Sequence, residues 1–297
     1  MAPLYELLEE PDLESPVLVL GLDGWIDAGL GAQNARAALL ESLDTVTVAT
    51  FDADELLDHR ARRPTMHLED GVLTGLAWPS IEMRAATDFD GNDMLLLVGA
   101  EPDHRWHAFC SAAVDLAMGF GSRMVVGLGA YPAPVPHTRP TRLAAAASSE
   151  DLARFCAVRT TVEVPTGVQG AIERRAAEVG LPAIGLWAQV PHYVSAMPSP
   201  AASAALVDGL ATVADLSVPS DELHRQAQAL RGRLDELVAA NPDHVEMVRQ
   251  LEAQWDAEAA GEVSGAAERG AGFGLGPLPS GDELAAEVER FLREQEN

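Results

Sequence analysis

Apolar runs of strand length punctuate the first two-thirds of the chain: 16–22 (PVLVLGL), 45–51 (TVTVATF), 94–100 (MLLLVGA), 124–130 (MVVGLGA) and 183–190 (AIGLWAQV). Runs without polar alternation fit strands buried on both faces. Between them, residues 27–40, 105–120 and 167–179 carry amphipathic or alanine-rich helical patterns. Alternating strand and helix predicts an α/β fold of three layers, α/β/α, with a mainly parallel sheet. Residues 64–86 break the rhythm, and Asp70-Gly71 between alternating positions predicts a β-hairpin inserted into the sheet order.

After residue 217 the pattern is helical only. Residues 218–260 read as a helical hairpin broken at Asn241-Pro242, which suits an N-cap followed by the first helical position. Residues 261–279 are Gly-rich and aperiodic, a flexible linker by composition. In 280–297, Ser280 stands three residues before Glu283, a capping box, and Leu284, Val288, Phe291 and Leu292 fall on one stripe. So short a helix is marginal alone, so its stripe needs a docking surface, on its own body or a partner. The expected organisation is therefore a core domain over 1–217, the hairpin, the linker and a docking helix.

Composition narrows the function classes. The 297 residues carry 46 acidic and 20 basic side chains, net −26, and every basic residue is Arg. Without Lys there is no P-loop lysine and no amine for Schiff-base chemistry, and no cofactor is expected. The acidity excludes nucleic acid or an anionic membrane as main partner. The N-terminus has no basic or apolar signal region and no run reaches membrane-span length, so a cytoplasmic protein is expected. Cys110 and Cys156 make no scaffold or metal-type pair. His104, His107 and Cys110 would share one helical face, but the segment reads as an ordinary covering helix and no metal is expected.

In a parallel α/β sheet, ligands bind beyond the carboxyl ends of the strands. The segments there carry Asp23, Trp25 and Asp27 after the first run, Asp52, Asp54 and Asp58 after the second, and Glu101 and Asp103 after the third. The fourth leads into YPAPVPHTRP, whose four prolines stiffen a loop bearing Tyr131, His137, Thr138 and Arg139; the fifth leads to His192 and Tyr193. The candidate rim is Asp23, Trp25, Asp27, Glu101, Tyr131, His137, Arg139, His192 and Tyr193. The acids also suit helix N-termini, and the proline loop also suits a rigid crossover. The stretch DADELLD lacks the glycine and terminal glutamate of a calcium loop and reads as a helix start.

Together GLDGWIDAG, FDADELLDHRARRP, GAEPDHRW, GLGAYPAPVPHTRP, VPHYVSAMPSPAA and LPSGDELAAEVERFL resemble the actinobacterial branch of the proteasome assembly chaperone 2 family. The resemblance spans nearly the whole chain. It implies a phosphorylase/hydrolase-like α/β/α core similar to purine nucleoside phosphorylases, a helical C-terminal part, and homotrimeric association. It also implies a non-enzymatic protein-binding or assembly role, with the proteasome or another protein as partner. The C-terminal residues Gln295, Glu296 and Asn297 depart from the hydrophobic-Tyr-any ending of proteasome-docking archaeal relatives. The alternative is a small-molecule enzyme for a nucleoside-like or phosphorylated ligand. There Arg139 would bind an anion, His137 or His192 would move a proton, and Asp23 or Asp27 would orient a hydroxyl. A deep pocket joining His137, Arg139 and His192 would favour the enzyme, and a rim open to solvent the binding protein.

Overall fold

A computed structural model describes residues 4–260. The linker and docking helix expected at 261–279 and 280–297 lie outside the described residues. In chain order the elements are β1 (Tyr5–Leu7), β2 (Val17–Leu22), α1 (Gly31–Ser42), β3 (Val46–Phe51), α2 (Ala53–Leu56), β4 (Thr65–Glu69), β5 (Val72–Ala77) and β6 (Ile81–Thr87). They continue with β7 (Asp93–Gly99), α3 (Trp106–Gly119), β8 (Met124–Ala133), β9 (Leu143–Ala147), α4 (Glu150–Ala153), α5 (Val168–Glu178), β10 (Ala183–Pro191), α6 (Pro200–Ala214), α7 (Asp221–Ala239) and α8 (Pro242–Ala259). Single 3-10 turns, Ala28–Leu30 and His192–Val194, precede α1 and follow β10.

Eight strands form one sheet in the order β1-β3-β6-β7-β2-β8-β10-β9. Its centre, β7-β2-β8-β10, is parallel, and its flanks pair antiparallel. The strands predicted from apolar runs are all present, with ends moved by no more than a few residues. Burial on both faces explains those runs. Along β2, Val17 and Val19 enter the core under α1 and α6, while Leu18 and Leu20 enter the core under α3 and α5.

The segment 64–86 divides where one hairpin was expected. β4 and β5 form a separate two-stranded ribbon, turned by Asp70 and Gly71 with φ of 50° and 82°, the left-handed pair a tight hairpin requires. β6, by contrast, enters the main sheet between β3 and β7. α2 begins on Asp52, whose carboxylate accepts the Glu55 N–H, so the acid cluster is a helix start.

α7 packs on α6, and α8 packs on α7. Asn241 caps α8 by accepting the Asp243 N–H, with Pro242 first in the helix. Because β2, β7, β8 and β10 run parallel, and β3 runs with them through two antiparallel pairings, their carboxyl ends share one edge of the sheet.

Candidate functional site

That shared edge carries every residue of the predicted rim, divided into two groups. On the β2 and β7 side the acids act locally. Asp27 accepts the N–H groups of Ala32 and Gln33 at 2.8 and 2.9 Å and so caps α1. Burial pushes its carboxyl up, against the pull of these N–H groups and of Arg36. Arg36 donates to Asp23 at 2.7 Å and to the Gly21 carbonyl at 2.8 Å. Glu101 accepts the Val168 N–H at 2.6 Å and occupies the N-terminus of α5. Trp25 has no such duty and is 60% exposed.

On the β8 and β10 side the proline loop and its neighbours lie beneath α7 and α8. β8 continues through Tyr131 to Ala133, and the Gln189 amide donates to the Tyr131 hydroxyl across to β10 at 3.0 Å. The His137 side chain is only 5% exposed. The His137 backbone N–H reaches the Tyr193 oxygen at 2.8 Å, the Tyr193 hydroxyl lies 2.7 Å from Nδ1, and Nε2 lies 3.3 Å from Asp235 of α7. Neutral His137 with its proton on Nε2 satisfies all three contacts, the tyrosine hydroxyl donating to Nδ1. Burial holds its pKa below the ordinary histidine value, partly opposed by Asp235. Burial likewise raises Tyr193 to about 12.

Arg139 is committed to α8. It pairs in bidentate fashion with Asp256 at 2.8 and 2.7 Å and donates to Glu252 at 3.0 Å. Thr138 donates to the same Glu252. Arg142 donates to Glu258 and to the Trp255 carbonyl, and its guanidinium lies 3.8 Å from the Trp255 ring centroid. The acidic helical hairpin thus neutralises this loop's cations.

The remaining cavity is about 60 Å³, lined by His137, Arg139, Gln189, Arg231, Leu234 and Trp255 among others. Pockets for drug-sized ligands run to roughly 300–1,000 Å³. His192 is outside that lining, exposed, with its ring 5.4 Å from that of Tyr193. The rim therefore brings His137, Arg139, Tyr131 and Tyr193 under one roof and leaves His192, Trp25, Asp23 and Glu101 elsewhere along the edge.

The expected shared face of His104, His107 and Cys110 is corrected by the start of α3. Arg105 precedes that helix with φ of 58°, His104 lies outside it, and Cys110 is buried in the core. Among the described residues, no group of three or more His, Cys, Asp or Glu is arranged to hold a metal.

The sequence reading passed over Asp235, Glu252, Asp256 and Glu258, the acids that take up the loop. Their signal was the i, i+4 spacing of Glu252 and Asp256 on one helix face, opposite a segment containing Arg139 and Arg142. It also passed over Glu173, on the buried side of α5. Desolvation pushes the Glu173 carboxyl up to about 8, though Gln169 donates to it at 2.9 Å. It sits against Gly127 and Gly185, where a Cβ would stand only 2.1 and 2.7 Å from its Oε1.

A three-layer α/β/α protein with an acidic helical roof over its carboxyl edge is the class defined by this fold and rim. The PAC2 family model matches residues 21–238, and the chain belongs to the PAC2 family. A Corynebacterium glutamicum protein of unknown function is 34% identical with a TM-score of 0.81, covering 87% of this chain and 98% of that one. A Mycobacterium tuberculosis proteasome-assembly chaperone homologue is 35% identical with a TM-score of 0.72, covering 78% and 99%. An archaeal proteasome activator from Pyrococcus furiosus shares the fold at 18% identity, TM-score 0.59, covering 78% and 97%. No curated protein matches the sequence. Among the described residues, no helix is long and apolar enough to cross a membrane.

Proposed function

We propose that this is a non-enzymatic, assembly-chaperone-like protein that binds another protein along the open part of its carboxyl edge. The observation that carries the reading is the occupation of Arg139, Arg142 and His137 by α7 and α8. Arg139 and His137, which an enzyme would use for an anion and a proton, are paired inside the chain around a cavity too small for a nucleoside, and His192 stands outside that cavity. Trp25, Leu30 and Met197 are exposed along the same edge, the kind of aromatic and apolar anchors that protein partners bury. The name of the mycobacterial homologue supports a partner of the proteasome type.

The family resemblance adds a cytoplasmic homotrimer to the proposal, which light scattering on the full chain tests by mass. For the partner, the full chain is mixed with separately purified proteasome subunits and ring formation is followed in time. Accelerated assembly that Trp25→Ala abolishes is the expected result. Unchanged assembly kinetics with every subunit combination would remove the proteasome from the proposal.

A further inference from the structure

The helix α5 is held on the sheet by a carboxyl group that must stay neutral. Val168, Ile172 and Ala176 of α5 enter the core shared with α3, and Glu173, only 7% exposed, enters the same layer over β8 and β10. Its room comes from Gly127 and Gly185, since a Cβ at either would stand 2.1 or 2.7 Å from Oε1. One side chain, Gln169, donates to it, at 2.9 Å. A buried carboxylate needs a cation or several donors, so the group is kept as the uncharged acid. Arg175 adds a second defect in the same helix, a buried Nε with no hydrogen-bond partner among the described residues.

The ends of α5 are free to follow it. Residues 159–166 before it are exposed and without regular structure, and Gly180, with φ of 83°, closes it. Among the described residues its ion pairs are internal, Arg174 and Arg175 with Glu178. Glu101 fixes its start by accepting the Val168 N–H, and Gly167 adjoins Trp25 there. We propose that α5 is a pH-operated latch, clasped to β8 and β10 while Glu173 is protonated and released as a unit when that proton is lost.

The charged groups nearby do not set this titration. On α3, His107 and Asp115 face solvent and Cys110 is a buried thiol; β8 brings Tyr131, and β10 brings nothing titratable. On α5 itself, Arg174 and Glu178 are exposed and Arg175 is half-buried. Desolvation pushes the Glu173 carboxyl up to about 8 from an ordinary 4.5, opposed only by the Gln169 amide. A released helix regains the ordinary value, so the clasp is complete below about 4.5 and is lost as pH rises through about 8. Release uncovers β8 and β10 at Gly127 and Gly185, where the Trp187 indole also lies, and loosens the edge beside Trp25. The inference is independent of the assembly reading, since it concerns only this chain.

Hydrogen exchange on the full-length protein, corrected for the intrinsic effect of pH on amides, tests it. Protection across 170–178 should fall at least about 30-fold between pH 5.5 and 7.5 and level off above about pH 8. Glu173→Gln puts an uncharged side chain of the same shape in the cradle, and its α5 amides should keep their protection over that range. In low urea, α5 exchange should be insensitive to denaturant while β2 exchange rises, the mark of local opening. A flat profile in the native chain, or an equal loss in Glu173→Gln, would overturn the proposal. Amides of α5 that follow those of β2 at every urea concentration would overturn it equally, by making the opening global.

Discussion

Two structures rise from the carboxyl edge of this sheet in opposite condition. Over β8 and β10, the helices α7 and α8 bury apolar side chains such as Leu223, Leu234, Val248 and Leu251 and place carboxylates on Arg139 and Arg142. Over β6, the ribbon leaves its apolar face, Met66, Leu68, Leu73 and Leu76, exposed and the guanidinium groups of Arg60 and Arg63 unpaired among the described residues. Both projections combine apolar surface with arginine. The difference is a facing acidic helix, present over the first and, among the described residues, absent over the second. In a protein with no lysine and a large acidic excess, acidic amphipathic helices are the natural complement to basic, apolar loops, and each arginine so used is withdrawn from ligand chemistry.

The same substitution on the two projections should have very different effects. Leu234→Asp places a charge in the small cavity under the roof and should destabilise it by about 2–5 kcal/mol, read as early loss of α7 and α8 in thermal or denaturant unfolding. Leu73→Asp should change core unfolding by no more than about 0.5 kcal/mol, since its side chain is exposed. Equal effects would erase the distinction between the two projections.

Acid and base act with opposite signs on two buried groups, Glu173 between α5 and the sheet and His137 beneath the roof. Glu173 is an ordinary carboxyl near 4.5 in the unfolded chain and is pushed up to about 8 by burial. Between those values the folded state binds more protons, so its contribution falls as pH rises from about 4.5 through about 8. Glu173→Gln should leave stability unchanged near pH 4 and raise it by roughly 2 kcal/mol or more at pH 9, since each tenfold change in proton affinity is worth about 1.4 kcal/mol. His137 runs the other way. Its folded pKa lies below the unfolded value near 6.5, so the unfolded chain binds more protons between them, and stability is lost as pH falls through that window. In Tyr193→Phe the hydroxyl bridge to His137 is gone. Unfolding monitored at pH 7.5 should show a loss of about 1 kcal/mol, and more if both His137 groups stay buried without a partner.

The smallest effect concerns the bidentate contact. Arg139→Lys keeps the charge but cannot reproduce two parallel bonds to Asp256. Exchange of α8 amides should rise a few-fold, with ribbon exchange unaltered.

The α/β core was legible because strands buried on both faces leave uninterrupted apolar runs, and 94–100 could hardly be read otherwise. The ribbon was legible at its turn and not at its end, because β6 carries the same alternating pattern whether it pairs within a hairpin or in the main sheet. For the rim, chain topology located Asp23, Glu101, His137 and His192 on one edge, but their employment depended on distant partners. Nothing local to YPAPVPHTRP shows that Glu252 and Asp256, more than a hundred residues later, take up Arg139. Glu173 was hidden because an acid inside an amphipathic helix reads as solvent-facing unless the glycines beneath it, at 127 and 185, are known to adjoin it.

The central claim is that the roofed cations serve the chain itself and leave none for a small anion. Calorimetric titration of the full-length protein with inorganic phosphate, and then with a nucleoside, tests it most directly. The account predicts no saturable heat up to millimolar ligand. Saturable binding that Arg139→Ala abolishes would contradict it and return the edge to enzyme chemistry.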